Sequence, residues 1–480
     1  MAAFVELELL QLSPFVIFAA LLVISLLTLN SLLTKNVKYP PIIKGWIPWL
    51  GCAIEFGKAP LTFIKETSEK HGKVFTFYAV GQRMTFLTDV RDFHLFFNSP
   101  QADFQRAVED AVKNTAGINK EDFFANHRKI HDLVKGRLSS SNLSKLTPNV
   151  GRKLEEYVRN ARISGSEVDL MTLARDVVFT AVVPILFGEG ILPQTHQELK
   201  HFQKQFVQFD DSFEHGAKLP DFLLKEWAKS KYFFLDVFGK ALQKKTHANM
   251  DDTLLQAMVK SLEGDCAPNY ATLLLWASLA NAVPITFWTL AFVLSDQAIK
   301  KDLQQEVDQV LGPYIDSGSL AGLSLEEVKK LHKVEHCILE AIRLRPAGMI
   351  ARKLTGPMQV RDLTIPAGDM LMISPYWAHQ DETIFPDAKS YVPDRWNQTV
   401  GSDKSAPSDK FFAFGGGRFQ CPGRRFAMME IQMFVSVLLC SFDLELVKEE
   451  VPLPSPQHVV GVPHPLSPCF VKMHKRVRII

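Results

Sequence analysis

The sequence predicts a mainly α-helical body with small β-sheets, placed behind one N-terminal membrane-spanning helix. Three observations support this fold class: helical spacing of apolar residues through most of the chain, two pairs of alternating segments typical of β-hairpins, and one uncharged run near the N-terminus. The 480 residues carry 54 basic and 52 acidic side chains, a net charge of +2. This balance argues against a nucleic-acid-binding protein, which would need a broad basic surface.

The N-terminal run is the predicted membrane anchor. Residues 9–34 contain no charged side chain, and the run is long enough to cross a hydrocarbon core of about 30 Å. Glu6 and Glu8 precede it and basic residues follow it, so the positive-inside rule places the carboxyl side in the cytosol. A signal peptide would instead have a basic leader and a cleavage site of small residues. We therefore expect a retained anchor over residues 1–39 and one cytosolic domain over residues 40–480.

The body should contain two β-hairpins and several amphipathic helices. Residues 74–80 pair with 83–88 in the first predicted hairpin, and residues 358–365 pair with 370–374 in the second. Helical periodicity predicts helices over residues 202–213, 225–242, 298–311, 324–344 and 424–441.

Residues 266–295 form a second uncharged apolar segment. Its length and hydropathy suit a second transmembrane helix. Asn281 and Pro284, however, lie at its middle, where lipid would leave polar groups unsatisfied. A long helix buried in the core of a large domain fits the pattern equally well, and the segment by itself does not decide between the two.

A glycine-rich run at residues 414–423 has the strongest chemical signal. Its glycines would let the backbone come close to a flat, bulky group. Cys421 lies just before a predicted helix, where unpaired backbone N–H groups and the helix dipole favour a thiolate. Such a thiolate is a nucleophile or a metal ligand, and the run is not a phosphate loop because no Lys-Ser/Thr pair follows it. For Cys421 alone, a structural cysteine and a nucleophile with a distant histidine stay open.

Four residues of this run carry a family resemblance. Phe414, Gly417, Cys421 and Gly423 match the pattern Phe-x-x-Gly-x-x-x-Cys-x-Gly. The run resembles the haem-ligand loop of the cytochrome P-450 family of haem-thiolate monooxygenases. The resemblance implies the family's helical fold, haem b as cofactor and Cys421 as the axial iron ligand. With Arg418, these residues form the expected haem-binding loop. Thiolate donation to iron favours cleavage of the O–O bond in such sites.

Further motifs extend the resemblance from the proline-rich segment after the anchor to the carboxyl end. Glu340 and Arg343 resemble the family's Glu-x-x-Arg helix, and residues 393–396 resemble its Pro-x-Arg-aromatic loop. An i,i+3 pair of this kind is most often a weak surface ion pair. The resemblance implies instead that Arg395 joins Glu340 and Arg343 in a buried triad, which holds the loop of Cys421.

The ligands expected for the haem propionates are partly missing. Arg352 stands where family members often contact a propionate, with a solvated arginine as the alternative. The family usually has an arginine two residues before the cysteine, where this chain has Phe419 with Arg418 next to it. The family's Trp-x-x-x-Arg is absent from the early helix, and the nearest polar cluster there is His127, Arg128, Lys129 and His131.

The 266–295 segment departs from the family pattern as well. The resemblance favours a buried helix here, in which the family generally has an acid and an alcohol that relay protons to bound oxygen. This chain has Ala280-Asn281-Ala282-Val283-Pro284 in that place, with no acid and no alcohol, and Pro284 should kink the helix at the Ala280 carbonyl. Asn281 is then the expected polar group beside the oxygen, and Thr286 is a weaker candidate. The alternative role for Asn281 is to cap the loose carbonyl.

The Asn-x-x-Pro form of this helix narrows the resemblance to one branch of the family. That branch contains the sterol 7α-hydroxylases, sterol 12α-hydroxylase and prostacyclin synthase, and two blocks at 44–60 and 275–291 are most similar to oxysterol 7α-hydroxylases. The implied activity is 7α-hydroxylation of an oxysterol such as 24-hydroxycholesterol, in cholesterol catabolism to bile acids. The alternatives are a peroxide isomerase of the prostacyclin-synthase type, a 7α- or 12α-hydroxylase of another sterol, and a non-catalytic haem or sterol carrier.

The implied reaction consumes O2 and two electrons, and the chain contains no flavin or NADPH-binding fingerprint. We therefore expect a separate membrane-bound, NADPH-dependent flavoprotein reductase as electron donor. The expected reductase and the anchor in a lipid bilayer together predict a single-pass protein of the endoplasmic reticulum membrane. The residues expected to form a basic docking face are Lys129, Lys135, Arg137, Arg424 and Arg425, with merely solvated charges as the alternative.

Overall fold

Helices form most of the described chain, as the fold class predicts. The computed structural model describes residues 18–19, 21–26, 37–161, 167–193, 195–243, 253–262, 264–346, 348–397, 410–456, 458 and 460–476. The helices are α1 (Ala53–Lys58), α2 (Pro60–His71), α3 (Phe93–Asn98), α4 (Phe104–Ala116), α5 (Lys120–Arg137), α6 (Ser140–Asn160), α7 (Leu170–Phe187), α8 (His196–Asp211), α9 (Phe213–Gly216), α10 (Lys225–Gln243), α11 (Leu254–Ser261), α12 (Ala267–Leu279), α13 (Ala282–Ser295), α14 (Gln297–Asp316), α15 (Leu325–Val328), α16 (His332–Leu344), α17 (Pro375–His379) and α18 (Arg424–Ser441).

Small sheets accompany these helices. Their strands are β1 (Ile42–Ile43), β2 (Val74–Ala79), β3 (Gln82–Leu87), β4 (Ala102–Asp103), β5 (Glu167–Asp169), β6 (Ile350–Leu354), β7 (Met358–Val360), β8 (Leu363–Ile365), β9 (Met370–Ile373), β10 (Phe442–Leu446) and β11 (Phe470–Lys475). The largest sheet has the order β1-β2-β3-β9-β6-β4, while β10-β11-β5 and β7-β8 form separate sheets. The main sheet therefore joins the N-terminal part of the body to residues 350–373.

The first predicted hairpin is confirmed and the second is wrong. β2 and β3 pair antiparallel, with Val74 opposite Leu87. β9 does not pair with 358–365 but lies between β3, to which it is parallel, and β6, to which it is antiparallel. All residues of β9 are buried, which suits a strand with neighbours on both sides. β7 and β8 form their own hairpin around Arg361, a turn residue with a φ of 56°.

The predicted helices are present, with one error. α10 and α18 agree with the predictions for 225–242 and 424–441 to within one residue, α14 contains the predicted 298–311, and α8 covers most of 202–213. The single helix predicted over 324–344 is wrong, because the structure has α15 and α16 instead. A capping box of Ser324 and Glu327 starts α15, and the chain then leaves the helix through short-range turns.

Two segments of the described chain are long and apolar enough to cross a membrane, but both lie largely inside the body. They are Leu170–Phe187 and Ala267–Ser295, with 72% and 83% of their apolar windows buried. This burial agrees with a core position for 266–295. The anchor predicted over residues 1–39 lies largely outside the described residues. Of its described residues, 18–19 and 21–26 are helical and exposed.

α13 runs through the largest hydrophobic core. It packs against α7, α16 and α18, and every side chain from Ala282 to Leu294 is buried. The helical segment is interrupted between α12 and α13, at Ala280 and Asn281. Pro284 has no N–H to donate to the Ala280 carbonyl, so the interruption lies where the proline predicts a kink. The first residues of α13, which follow this break, and the first turns of α18, which follow Cys421, pack in the same hydrophobic core.

Candidate active site

Cys421 lies in a tight loop that ends at the start of α18. A short 3-10 turn over Gly417–Phe419 turns the chain, and the Cys421 N–H donates to the Phe414 carbonyl (N···O 2.9 Å). The backbone N–H groups of Gly423 and Arg424, in the first turn of α18, donate to the Cys421 sulfur. The structure therefore places this thiol at a helix N-terminus, as the sequence predicts.

The surroundings of Cys421 determine its charge. Burial raises the pKa of the thiol above its ordinary value, while the N–H groups of Gly423 and Arg424 and the charge of Arg424 oppose this change. The free thiol is therefore protonated at neutral pH, and a coordinated metal ion would ionise it. All six cysteines are described and reduced, and Cys421 alone among them is exposed.

The glycines of the run serve close packing within the protein. A Cβ atom on Gly417 would lie 2.6 Å from the Phe97 carbonyl oxygen of α3, and one on Gly416 would lie 3.1 Å from the Phe97 ring. Gly417 also has a φ of 63°, which favours glycine. The close neighbour of Gly416 and Gly417 within the protein is therefore Phe97.

A buried charge network fixes the segment that precedes the cysteine loop. Glu340 and Arg343 of α16 are fully buried and form a bidentate pair, with N···O distances of 2.9 and 2.8 Å. Arg395 Nε donates to the same carboxylate (2.9 Å). Trp396 Nε1 and the Val392 N–H donate to it as well, each at 3.0 Å. The predicted triad is therefore present, and its carboxylate has a full set of donors.

The triad is connected to the cysteine loop through His379. Arg343 Nη1 donates to the backbone carbonyls of His379 (2.7 Å) and Ala388 (2.6 Å). The His379 ring accepts the Phe412 N–H at Nε2 (3.1 Å), at the start of the segment that leads to Cys421. Burial, and then the charge of Arg343, lower the pKa of His379 to about 3, so the ring stays neutral and keeps its acceptor. Spacing in the sequence gave no signal for this role of His379.

Arg352 lies in a cage of aromatic rings. It is 3% exposed, and its guanidinium lies 5.0 Å from the centroids of Phe96 and Phe104 and 5.1 Å from that of Phe419. Burial, and then the charge of Arg418, lower its pKa to about 10. Arg418 lies over the same Phe419 ring at 4.9 Å. The solvated alternative for Arg352 is wrong, and within the described chain no carboxylate forms an ion pair with it.

Of the polar cluster on α5, His127 lies nearest to this cage. Its ring contacts Phe104 (5.5 Å between centroids) and Phe123 (5.0 Å), and burial followed by the charge of His131 lowers its pKa to about 4. Arg128 is exposed on the other side of the helix. The neutral His127 ring therefore supports Phe104 from behind and brings no positive charge to the site.

The break between α12 and α13 displays one polar side chain. Asn281 is exposed, between Ala280 at 1% and Ala282 at 4%. Its side chain makes no helix cap, and Oδ1 instead accepts the Val462 N–H at 3.0 Å. Thr286 is fully buried, and its hydroxyl donates to the Ala282 carbonyl (2.8 Å). The capping role considered for Asn281 is therefore wrong. The hydroxyl proton of Thr286 is used in a hydrogen bond within α13.

Comparison with known proteins identifies the family. Residues 40–470 match the family described as cytochrome P-450. The chain belongs to the cytochrome P-450 family. It is 38% identical over 451 residues to the 24-hydroxycholesterol 7-alpha-hydroxylase of Homo sapiens, covering 92% of this chain and 95% of that one. The protein of that name from Mus musculus is 38% identical over 448 residues (92% and 94%), and human lanosterol 14-alpha demethylase is 28% identical over 442 residues (86% and 83%).

Cytochromes P-450 are haem-thiolate monooxygenases, and the residues of this chain fit the cofactor. Cys421 offers an accessible sulfur with two N–H donors around it, the surroundings that a coordinated thiolate needs. Arg352 is a buried cation without a carboxylate partner among the described residues, which suits a propionate. In this P-450 the place of the usual second arginine is taken by Phe419, whose ring lies between two guanidinium groups.

The triad makes a first prediction. Glu340→Ala should remove most of the bound haem, because it leaves Arg343 and Arg395 buried without their carboxylate, a change that costs about 3–5 kcal/mol. Haem content per polypeptide and the carbon monoxide spectrum of the reduced protein measure the effect. Glu326→Ala is the matched control, since Glu326 forms an exposed i,i+3 pair with Lys329. A folded Glu340→Ala protein with full haem content would reject the role of the triad.

The loop glycines make a second prediction. Gly417→Ala should lower both the midpoint of thermal unfolding and the haem content, because a Cβ at a φ of 63° would lie 2.6 Å from the Phe97 carbonyl. Gly423→Ala should have a smaller effect, since φ is −88° there and the added methyl would meet Leu138 at an ordinary 3.6 Å. Equal losses in the two variants would show that packing on Phe97 does not shape this loop.

Proposed function

We propose that this P-450 hydroxylates an oxysterol at the 7α position, with 24-hydroxycholesterol as its substrate. The observation that carries the proposal is the 38% identity, over more than nine-tenths of both chains, to two proteins named for that activity. The break at Ala280 and Asn281 supports it, because the Asn-x-x-Pro form resembles the sterol 7α-hydroxylase branch. The place of such a reaction is cholesterol catabolism to bile acids.

The cysteine loop would hold haem b through one iron ligand and two cations. We assign Cys421 as the axial ligand and Arg352 as the propionate contact, with Arg418 at the rim of the same site. Phe414 would keep the loop closed through its carbonyl, which accepts the Cys421 N–H. Gly417 and Gly423 would shape the loop, Gly417 by its approach to Phe97 and Gly423 by the N–H that it gives to the sulfur.

When bound, the haem supplies the oxidation: one atom of O2 enters a C–H bond of the sterol, and the other leaves as water with two electrons from the reductase and two protons. The chain's own contribution would include a polar donor beside the substrate. We assign that donor to Asn281, whose side chain is exposed at the break. Ala280 would give the substrate room beside it, and Thr286 would hold the first turn of α13 through the Ala282 carbonyl.

The membrane and the reductase complete the proposal. Residues 1–39 would anchor the protein in the endoplasmic reticulum membrane, with 40–480 in the cytosol, and the exposed helical residues 18–19 and 21–26 support this placement. The end of α5 lies beside the start of α18, since Leu138 is the neighbour of Gly423. This proximity supports a basic docking face for an NADPH-dependent reductase, for which we propose Lys129, Lys135, Arg137, Arg424 and Arg425.

The activity is tested by reconstituting the haem protein with reductase, NADPH and 24-hydroxycholesterol, and identifying the product by mass spectrometry and nuclear magnetic resonance. We expect a sterol with one added oxygen at the 7α position, and no product without NADPH. Cholesterol and sterols hydroxylated elsewhere on the side chain serve as competing substrates. Faster turnover of one of these would point to another sterol hydroxylase.

Two further outcomes would overturn the proposal. Rearrangement of an organic endoperoxide without NADPH or reductase would identify an isomerase. A change in the haem spectrum on addition of oxysterol, without product from any of the sterols, would identify a carrier.

A further inference from the structure

A segment near the carboxyl end is tied to the break in the central helix. In residues 460–466, named here the C-terminal loop, the Val462 N–H donates to Asn281 Oδ1 (3.0 Å). The next residue, Pro463, accepts a hydrogen bond from Trp288 Nε1 of α13 (2.7 Å). These two contacts hold the backbone of the C-terminal loop against the start of α13.

His464 fastens the same loop to α8. Its Nε2 lies 3.2 Å from Asp210 Oδ2, and its Nδ1 lies 3.3 Å from Asp211 Oδ1. Both ring nitrogens of His464 thus face a carboxylate, which accepts hydrogen bonds, and this arrangement favours the imidazolium form, in which both nitrogens carry hydrogen. Asp210 is 3% exposed, and its other oxygen accepts from Trp276 Nε1 of α12 (2.8 Å). Asp210 therefore joins α8, α12 and the C-terminal loop at one buried point.

The groups around His464 favour its charged form. Burial opposes the charge, but the bonds to Asp210 and Asp211 outweigh burial and raise the pKa of His464 to about 9. His458 stacks on the ring, with centroids 4.6 Å apart, and burial together with the charge of His464 lowers the pKa of His458. The other charged groups that face this cluster are Arg175 of α7 and Glu214 of α9.

The contact with Val462 decides how the Asn281 amide is oriented. An asparagine side chain has an oxygen that accepts and an NH2 group that donates. A backbone N–H is a donor only, so the Asn281 oxygen must face Val462 and the NH2 group must face away from it. Asn281 is exposed at the break while its neighbours in α12 and α13 are buried. The NH2 group of this exposed residue is therefore available as a hydrogen-bond donor.

We propose that His464 is a positioning residue: by holding the C-terminal loop on α8 it keeps the Val462 N–H on Asn281, and so directs the Asn281 NH2 group toward an acceptor oxygen of the substrate. The chemical group recognised is an oxygen with a free lone pair, such as a sterol hydroxyl. The use made of Asn281 rests on the proposed hydroxylation. The contact of His464 with α8, which holds the C-terminal loop, does not depend on that proposal, because it involves residues of this chain alone.

Amide hydrogen exchange of the haem protein at neutral pH tests the hold directly. In His464→Gln, the Val462 amide should exchange at least about tenfold faster than in the wild type, while amides in α13 and α18 keep their rates. His474→Gln is the matched control, because His474 is exposed on β11. Unchanged protection of Val462 in a folded His464→Gln protein would overturn the proposal.

A milder variant covers the case in which His464→Gln does not fold. Asp211 is a half-exposed partner, so Asp211→Asn removes one charge and leaves Asp210 in place. It should speed the exchange of Val462 by a smaller factor. In the wild type, protection relative to the intrinsic rate should also fall as the pH rises through about 9, where His464 loses its proton. Protection that is unaltered both in Asp211→Asn and across this pH range would overturn the proposal.

The link to the substrate is tested by measuring coupling, which is the amount of sterol product formed per NADPH consumed. His464→Gln should lower the sterol product formed per NADPH consumed, with an unchanged carbon monoxide spectrum and haem content. Asn281→Asp, which keeps an acceptor for Val462 but has no NH2 group, should lower it as well, with Val462 still protected. If the Val462 amide exchanges faster in His464→Gln but the wild type forms no sterol product, the proposed function is rejected, while the role of His464 in holding the C-terminal loop stands. Full coupling in His464→Gln would reject the positioning role.

Discussion

The buried carboxylate of Glu340 is the constraint on which the site depends. Two guanidinium groups, an indole and a backbone N–H converge on it, and none of these donors could remain buried without it. Arg343 then uses its remaining N–H groups on carbonyls of the segment 379–390. Because His379 in that segment accepts the Phe412 N–H, the position of the cysteine loop follows from a network that lies outside it.

Local motifs were readable in the sequence because they are set by neighbouring residues. The cysteine loop, the Glu340–Arg343 pair and the bounds of α18 follow from short spacings, and the break near Ala280 follows from one proline. The pairing of β9 could not be read in this way, since its partner β3 lies far away in the chain and the β7–β8 hairpin separates it from its other partner, β6. The same holds for His379 and His464, whose roles depend on contacts between distant segments. Two roles considered for residues in motifs also failed, the cap by Asn281 and the solvated Arg352.

Two of the departures from the family pattern, at Phe419 and at Asn281, are alike. In each, a neighbouring group orients the charge or the donor. Phe419 stands where an arginine is usual, and its ring lies under both Arg352 and Arg418, so that attraction between cations and an aromatic face keeps the charge in place. Asn281 is the polar side chain in a helical segment that lacks the usual acid and alcohol, and a backbone N–H of the C-terminal loop orients its amide. In both cases the charge or the donor remains directed at the site although the expected residue is absent.

The assignment of Cys421 as iron ligand is tested most directly by the carbon monoxide difference spectrum of the reduced Cys421→Ala protein. The red-shifted band that a thiolate-ligated haem gives should be lost from this variant, together with hydroxylation. The buried Cys469 provides the control, since Cys469→Ala should keep the band. An unaltered thiolate band in Cys421→Ala would contradict the account, because the sulfur would then come from another residue.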